Sequence, residues 1–224
     1  MRGFWRENSL SIVFLALFLG ALAGQAVTGW NAFNNDATSH EQSTISLGRY
    51  VLSSSFGNAV MENWQSEYLQ FTLYILLTVW FVQKGSPESK ELDKAGSERD
   101  EDQLVGEHAR ADSPAWARAR GLRLWLLSNS LVLAMATIWV GSWFAQAVTG
   151  WGAYNSEQLV HGASGLSLWQ FVGTAHFWEA TLQNWQSEFL AVGSMAVLAI
   201  YLRQRGSPES KPVGAPDSTT GMEG

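Results

Sequence analysis

The sequence predicts an all-α membrane protein: four transmembrane helices form two tandem, parallel two-span hairpins, with short amphipathic helices in the outer loops. Three observations predict this fold, namely an internal repeat, four strongly apolar segments, and basic residues that flank those segments on one side only. The mean hydropathy of −0.04 hides this pattern, because a polar linker and a polar tail offset the apolar segments.

Three peptides occur twice in the chain at a constant separation. They are QAVTGW, NWQSE and GSPESK, which begin at Gln25 and Gln146, at Asn63 and Asn184, and at Gly85 and Gly206. Each pair is 121 residues apart (146 − 25, 184 − 63 and 206 − 85), so residues 2–90 align with 123–211 without a gap. Such self-similarity is typical of a duplicated structural unit. A polar residue kept in both copies is therefore a better functional candidate than one that occurs once.

Four apolar segments are candidates for membrane spans. They cover approximately residues 10–27, 68–82, 124–148 and 189–202. A spanning helix needs about 20 mainly apolar residues, which the first and third segments provide. The second and fourth reach that length if they begin near Asn63 and Asn184. The alternative of four buried helices in a soluble bundle is disfavoured, because the first segment lacks the polar face of a soluble surface helix.

The basic residues predict the orientation of the chain. Lys and Arg precede the first and third segments and follow the second and fourth, whereas the two intervening loops hold a single basic residue, Arg49. By the positive-inside rule, the chain is then a multi-pass membrane protein whose termini and linker are cytoplasmic and whose two intervening loops face outward. An alternative is that Arg2, Arg6, the first apolar run and Ala21-Leu22-Ala23 form a cleavable signal peptide. Retention is favoured, because the equivalent segment of the second copy is internal.

The predicted organisation has four parts. Residues 1–90 form the first two-span repeat, 91–122 a flexible cytoplasmic linker, 123–211 the second repeat, and 212–224 a disordered cytoplasmic tail. The linker mixes acidic and basic residues without apolar anchors, a composition typical of a disordered or loosely helical segment. The chain has no basic stripe, so no nucleic-acid partner is predicted.

Polar residues that recur near the predicted outer membrane face form the candidate polar cluster. They are Gln25, Asn63, Glu67, Gln146, Asn184 and Glu188. Asn63 and Glu67 are four residues apart, so they share one face of a helix. Two interpretations stay open. The cluster either joins the helices by hydrogen bonds, with the glutamates near a helix start, or it binds a solute, an ion or a partner, since ionisable residues in membranes often mark functional sites.

The tryptophans of the repeated motifs are interpreted as interface anchors. Trp30 and Trp151 end the first span of each copy, and Trp64 and Trp185 open the second. Tryptophan prefers the membrane–water interface, where its ring is apolar and its N–H stays hydrated. The alternative is stacking against a ligand. The GSPESK motif is interpreted as a helix stop with a left-handed glycine followed by proline.

No catalytic residue, metal site or cofactor is predicted. The chain has no cysteine, and His40 and His161, although matched between the copies, lack the three or four ligands of a metal site. No phosphate-binding loop, dinucleotide fingerprint or nucleophile elbow occurs. The sequence therefore favours a non-enzymatic, structural or partner-interacting protein. The alternative is a small channel or transporter that uses the polar cluster around Glu67 and Glu188. The partners considered are the lipid bilayer, another membrane protein and a second copy of the chain.

The hairpin that carries NWQSE, followed by Tyr or Phe and Leu, and that ends in GSPESK resembles a family of uncharacterised bacterial inner-membrane proteins with a domain of unknown function. The opening MRGFWREN also resembles that family. The resemblance covers nearly all of both copies and excludes the linker and the tail. It implies a location in the bacterial cytoplasmic membrane, without an activity or a substrate. The second copy departs at its start, where Leu127 and Ser128 replace Arg6 and Glu7.

Overall fold

The regular structure is helical throughout the part of the chain that the structure, a computed structural model, describes, residues 2–222. The eight α-helices are α1 (Arg2–Glu7), α2 (Ser9–Ser39), α3 (Leu47–Val51), α4 (Ser54–Leu77), α5 (Leu122–Ser128), α6 (Ser130–Val160), α7 (Leu168–Val172) and α8 (Ala175–Tyr201). Three short 3-10 helices, Leu92–Lys94, Gly106–His108 and Ala115–Arg118, lie between α4 and α5. The prediction of an all-α protein is confirmed.

The helices recur at the interval of the sequence repeat. Helix α6 begins and ends 121 residues after α2 (130 − 9 and 160 − 39), and α7 has the same relation to α3 (168 − 47 and 172 − 51). Helix α8 begins 121 residues after α4 (175 − 54) and ends three residues beyond the position equivalent to Leu77 (201 − 121 = 80). Equivalent sequences therefore adopt equivalent local structure.

Serine side chains start the two short helices in the loops that the sequence predicts to lie outside. The Oγ atoms of Ser46 and Ser167 accept hydrogen bonds from the backbone N–H groups of Arg49 and Gln170, both at 3.4 Å. The Gln170 side chain also accepts from the backbone N–H of Ser167, which completes a capping box. Such caps satisfy N–H groups that a helix start leaves without an intrahelical partner.

Two helices in the described residues, α2 and α6, are long and apolar enough to cross a membrane. No residue in the most apolar stretch of α2 is buried within the chain, and Leu10 and Leu17 are 71% and 62% exposed. Apolar side chains exposed in this way require a nonaqueous environment or a partner. The two helices support membrane association.

The chain divides into two compact units, which are described separately. The first comprises Met1–Met61 and Ala145–Thr174, and the second comprises Glu62–Phe144 and Ala175–Gly224. In the first unit, the buried ring of Tyr50 packs between Phe33 and Phe56, with centroid distances of 5.7 and 5.5 Å. In the second unit, an aromatic cluster of α6 and α8 residues forms the largest group of ring contacts.

The segment between α4 and α5 contains turns and local ion pairs. Lys90 Nζ lies 2.9 Å from Glu98 Oε1 and also donates to the Gly96 carbonyl at 3.1 Å. The flexible linker and the boundaries predicted for the four parts stay predictions. The same holds for the predicted disorder of 212–224, of which Glu223 and Gly224 lie outside the described residues.

Candidate functional site

The NWQSE motifs of α4 and α8 contact each other in the second unit. The Trp185 Nε1–H group donates a hydrogen bond to Gln65 Oε1 at 2.7 Å. Gln65 is completely buried, so this bond satisfies a side-chain oxygen that water cannot reach. The Gln65 amide nitrogen also donates to the Glu62 carbonyl at 3.1 Å. A residue from each copy of the motif thus forms one interhelical contact.

A second contact joins the same two helices. The Ser66 hydroxyl lies 3.3 Å from Glu188 Oε1 and 2.9 Å from the carbonyl oxygen of Asn63. A serine hydroxyl has one proton to donate, so these two acceptors share it. Ser66 is buried, and Glu188 is half-buried. The Glu188 carboxylate is therefore tied to α4 by a hydrogen bond to a hydroxyl.

The carboxylates of Glu67 and Glu188 oppose each other electrostatically. Glu67 is exposed, and among the described residues no ion pair joins either glutamate to a basic side chain. Helix α4 begins at Ser54, thirteen residues before Glu67. The helix dipole acts within about one turn of the helix end. The interpretation of these glutamates as dipole-stabilising residues at a helix start is therefore wrong.

Trp185 packs against Trp143, the central ring of an aromatic cluster. The Trp143 ring lies 5.7 Å from the Trp185 ring and 5.9 Å from that of Trp178, and Trp139 stacks on Trp143 at 6.1 Å. Contacts of this geometry add about 0.5–1.5 kcal/mol each to the effect of burial. The Nε1 atoms of Trp139 and Trp143 are buried without a hydrogen-bond partner in the described part of the chain. Trp185 thus contacts Trp143 through its ring and Gln65 through its Nε1–H group.

The other members of the candidate polar cluster have different environments. Asn184 is half-buried and donates to the Ala180 carbonyl of its own helix at 2.8 Å, while Asn63 is exposed. Gln25 and Gln146 belong to the first unit, where Gln146 is buried and Gln25 is half-buried. Within the second unit, the structure thus places Glu188 against Ser66, the neighbour of Glu67, and leaves Asn184 bonded to its own helix.

Trp30 and Trp151 hydrogen-bond to the loops that follow their helices. The Trp30 Nε1–H donates to the Ile45 carbonyl, and the Trp151 Nε1–H donates to the Leu166 carbonyl, both at 2.6 Å. Asn34 and Asn155 complete each arrangement, because their amides donate to the same carbonyls and accept from the N–H of the same residues at 2.8–2.9 Å. The sequence motifs do not single out these asparagines, although they recur 121 residues apart. The membrane-interface location of all four predicted tryptophans stays a prediction.

The matched histidines are neighbours in the first unit. The rings of His40 and His161 make an edge-on contact with centroids 6.1 Å apart. Asp36 lies beside His40, with 3.5 Å between Oδ1 and Nδ1. The described residues contain no group of three or more histidines, cysteines or carboxylates placed to hold a metal.

The GSPESK motifs form clamped turns in the second unit. Ser89 and Ser210 accept hydrogen bonds from the backbone N–H groups of Gln83 and Gln204 at 2.8 and 2.9 Å. Gly85 has the left-handed φ of 89°, but α4 ends eight residues before it. The motif glycine is therefore a turn residue and not the helix cap that the sequence predicts.

Lys211, the last residue of the second motif, is buried and binds backbone oxygens. Its Nζ lies 2.6 Å from the Gly85 carbonyl oxygen, and 2.9, 3.2 and 3.4 Å from those of Asp217, Thr219 and Pro216. Three ammonium protons thus serve four acceptors. Burial lowers the pKa of the Lys211 ammonium below its usual range, and the nearby Arg203 adds to this effect. The clamp joins the segment after Lys211 to the first copy of the motif.

A family model described as a domain of unknown function (DUF6766) matches residues 1–222 of the chain. No curated protein and no solved structure shows significant similarity to it.

Proposed function

Because the chain belongs to the DUF6766 family, whose domain has no known function, we propose a function from its own contacts. The proposal is an integral protein of the cytoplasmic membrane, with four spans in two tandem parallel hairpins and both termini in the cytoplasm. Its role is structural or partner-interacting, not enzymatic. Its partners are lipid and either another membrane protein or a second copy of the chain, and nucleic acid is not among them.

The hydrogen bond from Trp185 to Gln65 carries this proposal. It links the two copies of the motif, at 2.7 Å, through a glutamine that is completely buried. Polar residues between membrane helices stabilise their association by about 0.6–2 kcal/mol each. A conduit needs polar groups that face an open path, whereas Gln65 and Ser66 are engaged in contacts between helices. The motif therefore stabilises the packing of α4 against α8.

The two long apolar helices support the membrane location. Helices α2 and α6 meet the requirements of a span, and basic residues lie at the predicted cytoplasmic ends of all four apolar segments. Helices α4 and α8 carry the polar NWQSE motifs near their middles, which lowers their mean hydropathy. Their contacts with each other shield part of that polarity. The exposed apolar surface of α2 is available for contact with lipid or with a partner helix.

Cysteine accessibility tests the topology directly, because the chain has no native cysteine. Ser43→Cys and Ser164→Cys occupy equivalent positions in the two predicted outer loops, and Ser97→Cys and Ser218→Cys are matched positions on the predicted cytoplasmic side. In intact cells, a membrane-impermeant maleimide should label the first pair only. After permeabilisation it should label all four. Labelling of Ser97→Cys in intact cells contradicts the two-span hairpin, and a shortened mature N-terminus contradicts retention of the first span.

A small channel or transporter is the second candidate, and the hydrogen bond that brings Glu188 beside Ser66, the neighbour of Glu67, favours it. Two carboxylates held near each other attract a proton or a cation. Liposomes that contain the purified protein test this function with a pH-sensitive dye and a potassium-sensitive dye. Flux that depends on both glutamates supports the transport function and contradicts the structural one.

A further inference from the structure

A cavity of about 310 Å³ lies between α4 and α8 in the second unit. Its walls come from matched positions of the two copies, together with one residue of the first GSPESK motif. The lining residues are Gln70, Phe71, Tyr74, Glu88, Ala191, Val192 and Met195. The separations of three pairs (191 − 70, 192 − 71 and 195 − 74) all equal 121. The volume is at the lower end of the range for small-molecule sites.

The two walls of this cavity differ in chemistry. The α4 wall carries Gln70 and Tyr74, whereas the matched positions of the α8 wall carry Ala191 and Met195. Phe71 and Met195 are 48% and 42% exposed, so apolar surface is available to an occupant. One wall can therefore hydrogen-bond to a ligand while the other makes only apolar contacts.

Negative charge lies at the polar end of the cavity. The Tyr74 hydroxyl donates a short hydrogen bond to Glu88 Oε2, and the charges of both Glu88 and Glu209 act on that hydroxyl. A carboxylate accepts about four hydrogen bonds, so the bond from Tyr74 leaves Glu88 with capacity for another donor. A positively charged donor complements this end, and an anionic head group is repelled by it.

We propose that this cavity binds an amphiphilic organic cation, with its ammonium group at Glu88 and its apolar chain between Phe71 and Met195. Glu88 supplies the charge, Tyr74 orients the carboxylate by its hydrogen bond, and Gln70 offers a further polar contact. Ala191 leaves room for the chain where a larger residue would fill it. This binding function is additional to the structural role and does not depend on the number of spans.

Photolabelling of the full-length protein in lipid nanodiscs tests the proposal. The probe is an eight-carbon alkylamine with a diazirine near its free end, and the labelled peptides are mapped by mass spectrometry. Labels should fall on residues 70–74 and 191–195. Octylammonium should compete for labelling, whereas octanoate and octanol, which have the same chain length, should not. Equal competition by octanol means that the cavity holds only apolar chains, and equal competition by octanoate removes the role of charge. Either result overturns the proposal.

Two variants test separately the charge of Glu88 and the space that Ala191 leaves in the cavity. Glu88→Gln keeps the size of the side chain and should raise the octylammonium concentration for half-competition by about tenfold, the change for roughly 1.4 kcal/mol. Ala191→Leu narrows the cavity and should reduce labelling at 70–74. Glu107→Gln, at an exposed glutamate of the linker, is the matched control and should change neither value. Normal octylammonium competition in Glu88→Gln, with size-exclusion and melting profiles that match the parent protein, contradicts the proposal.

Discussion

Trp185 of the second repeat donates its indole hydrogen bond to Gln65 of the first, although each residue has an identical counterpart at the equivalent position of the other copy. Gln65 is completely buried, while its counterpart Gln186 is exposed. The two identical NWQSE motifs thus lie in different environments. One copy contributes an acceptor to the contact and the other copy contributes a donor.

Removal of this hydrogen bond should lower the stability of the protein, whereas the same substitution at the counterpart residue should not. We expect Gln65→Leu and Trp185→Phe each to lower the free energy of unfolding by about 1 kcal/mol, and a double-mutant cycle to give a coupling energy of about 0.6 kcal/mol or more. Unfolding in mixed detergent micelles measures both. Gln186→Leu is the matched control and should have little effect. Equal losses from Gln65→Leu and Gln186→Leu contradict an asymmetric contact.

The paired glutamates distinguish a structural role from transport. Glu67→Gln with Glu188→Gln deletes both charges, and the amide oxygen introduced at position 188 can still accept from Ser66. Under the structural proposal, we expect the double variant to keep its stability to within about 0.5 kcal/mol, as is usual for substitutions that leave packing intact. Liposomes with either protein should then show no protein-dependent flux. Flux in the parent protein that disappears in the double variant contradicts this expectation.

Replacement of Lys211 should release the segment that follows it. In Lys211→Met, an apolar side chain of similar length replaces the ammonium that binds four carbonyl oxygens. The Gly221 N–H, which donates to the Ser86 carbonyl at 3.1 Å, should then exchange with deuterium about tenfold faster or more, because local opening costs less. Lys84→Met, at an exposed lysine beside the first copy of the motif, should leave that rate unchanged. An unaltered rate in Lys211→Met shows that the clamp does not hold the tail.

The Lys90–Glu98 pair should respond to acid. The hydrogen bond from Lys90 lowers the pKa of the Glu98 carboxyl below its ordinary value of 4.5. The stabilisation is therefore present above pH 4.5 and is lost as the pH falls through the lower pKa of the folded state. A carbon-13 NMR titration of the Glu98 carboxyl should report that lowered value, and Lys90→Met should return it towards 4.5. A value at or above the ordinary one in the parent protein contradicts the contact.

Two glycines of α2 should differ in their tolerance of alanine. A Cβ atom at Gly29 would lie 2.4 Å from the Tyr50 hydroxyl oxygen, whereas one at Gly24 would meet nothing within 4 Å. Tyr50 is buried between two other rings, so it cannot move away freely. We expect Gly29→Ala to destabilise the first unit by about 1–3 kcal/mol, and Gly24→Ala to be neutral or stabilising by up to about 1 kcal/mol. Thermal melting of the two variants measures the difference.

The sequence predicts the helical class and the repeated spacing because both depend on local patterns. It predicts that the second span begins near Asn63, whereas α4 begins nine residues earlier, at Ser54. Small residues explain the difference. Gly57 and Gly150 approach side chains of other helices so closely that an added Cβ would lie 2.9 Å from Thr149 and 2.6 Å from Asn58. Close packing of this kind does not require apolar periodicity.

The sequence predicts which residues belong to the candidate site, but it does not predict which of them contact each other. Duplication of the motif singles out Glu67 and Glu188, and in the structure Glu188 contacts Ser66, the residue next to Glu67. The burial of Gln65 and Ser66 is not predictable, because identical motifs give no signal for which copy faces inward. The contacts of Lys211 are not predictable either, because its acceptors are backbone oxygens, which every sequence provides.

The loop closures made by Trp30 and Trp151 have a consequence for biogenesis. Each tryptophan bonds to a carbonyl only 15 residues later, and contacts at short sequence separation have a low entropic cost of closure. The first loop can therefore close once Ile45 is free to fold, without any contact from the NWQSE motif of α4. The second loop repeats this step 121 residues later. Each loop can thus form from its own stretch of chain, whereas the pairing of α4 with α8 and the bond from Lys211 to Gly85 must wait for synthesis of the second copy.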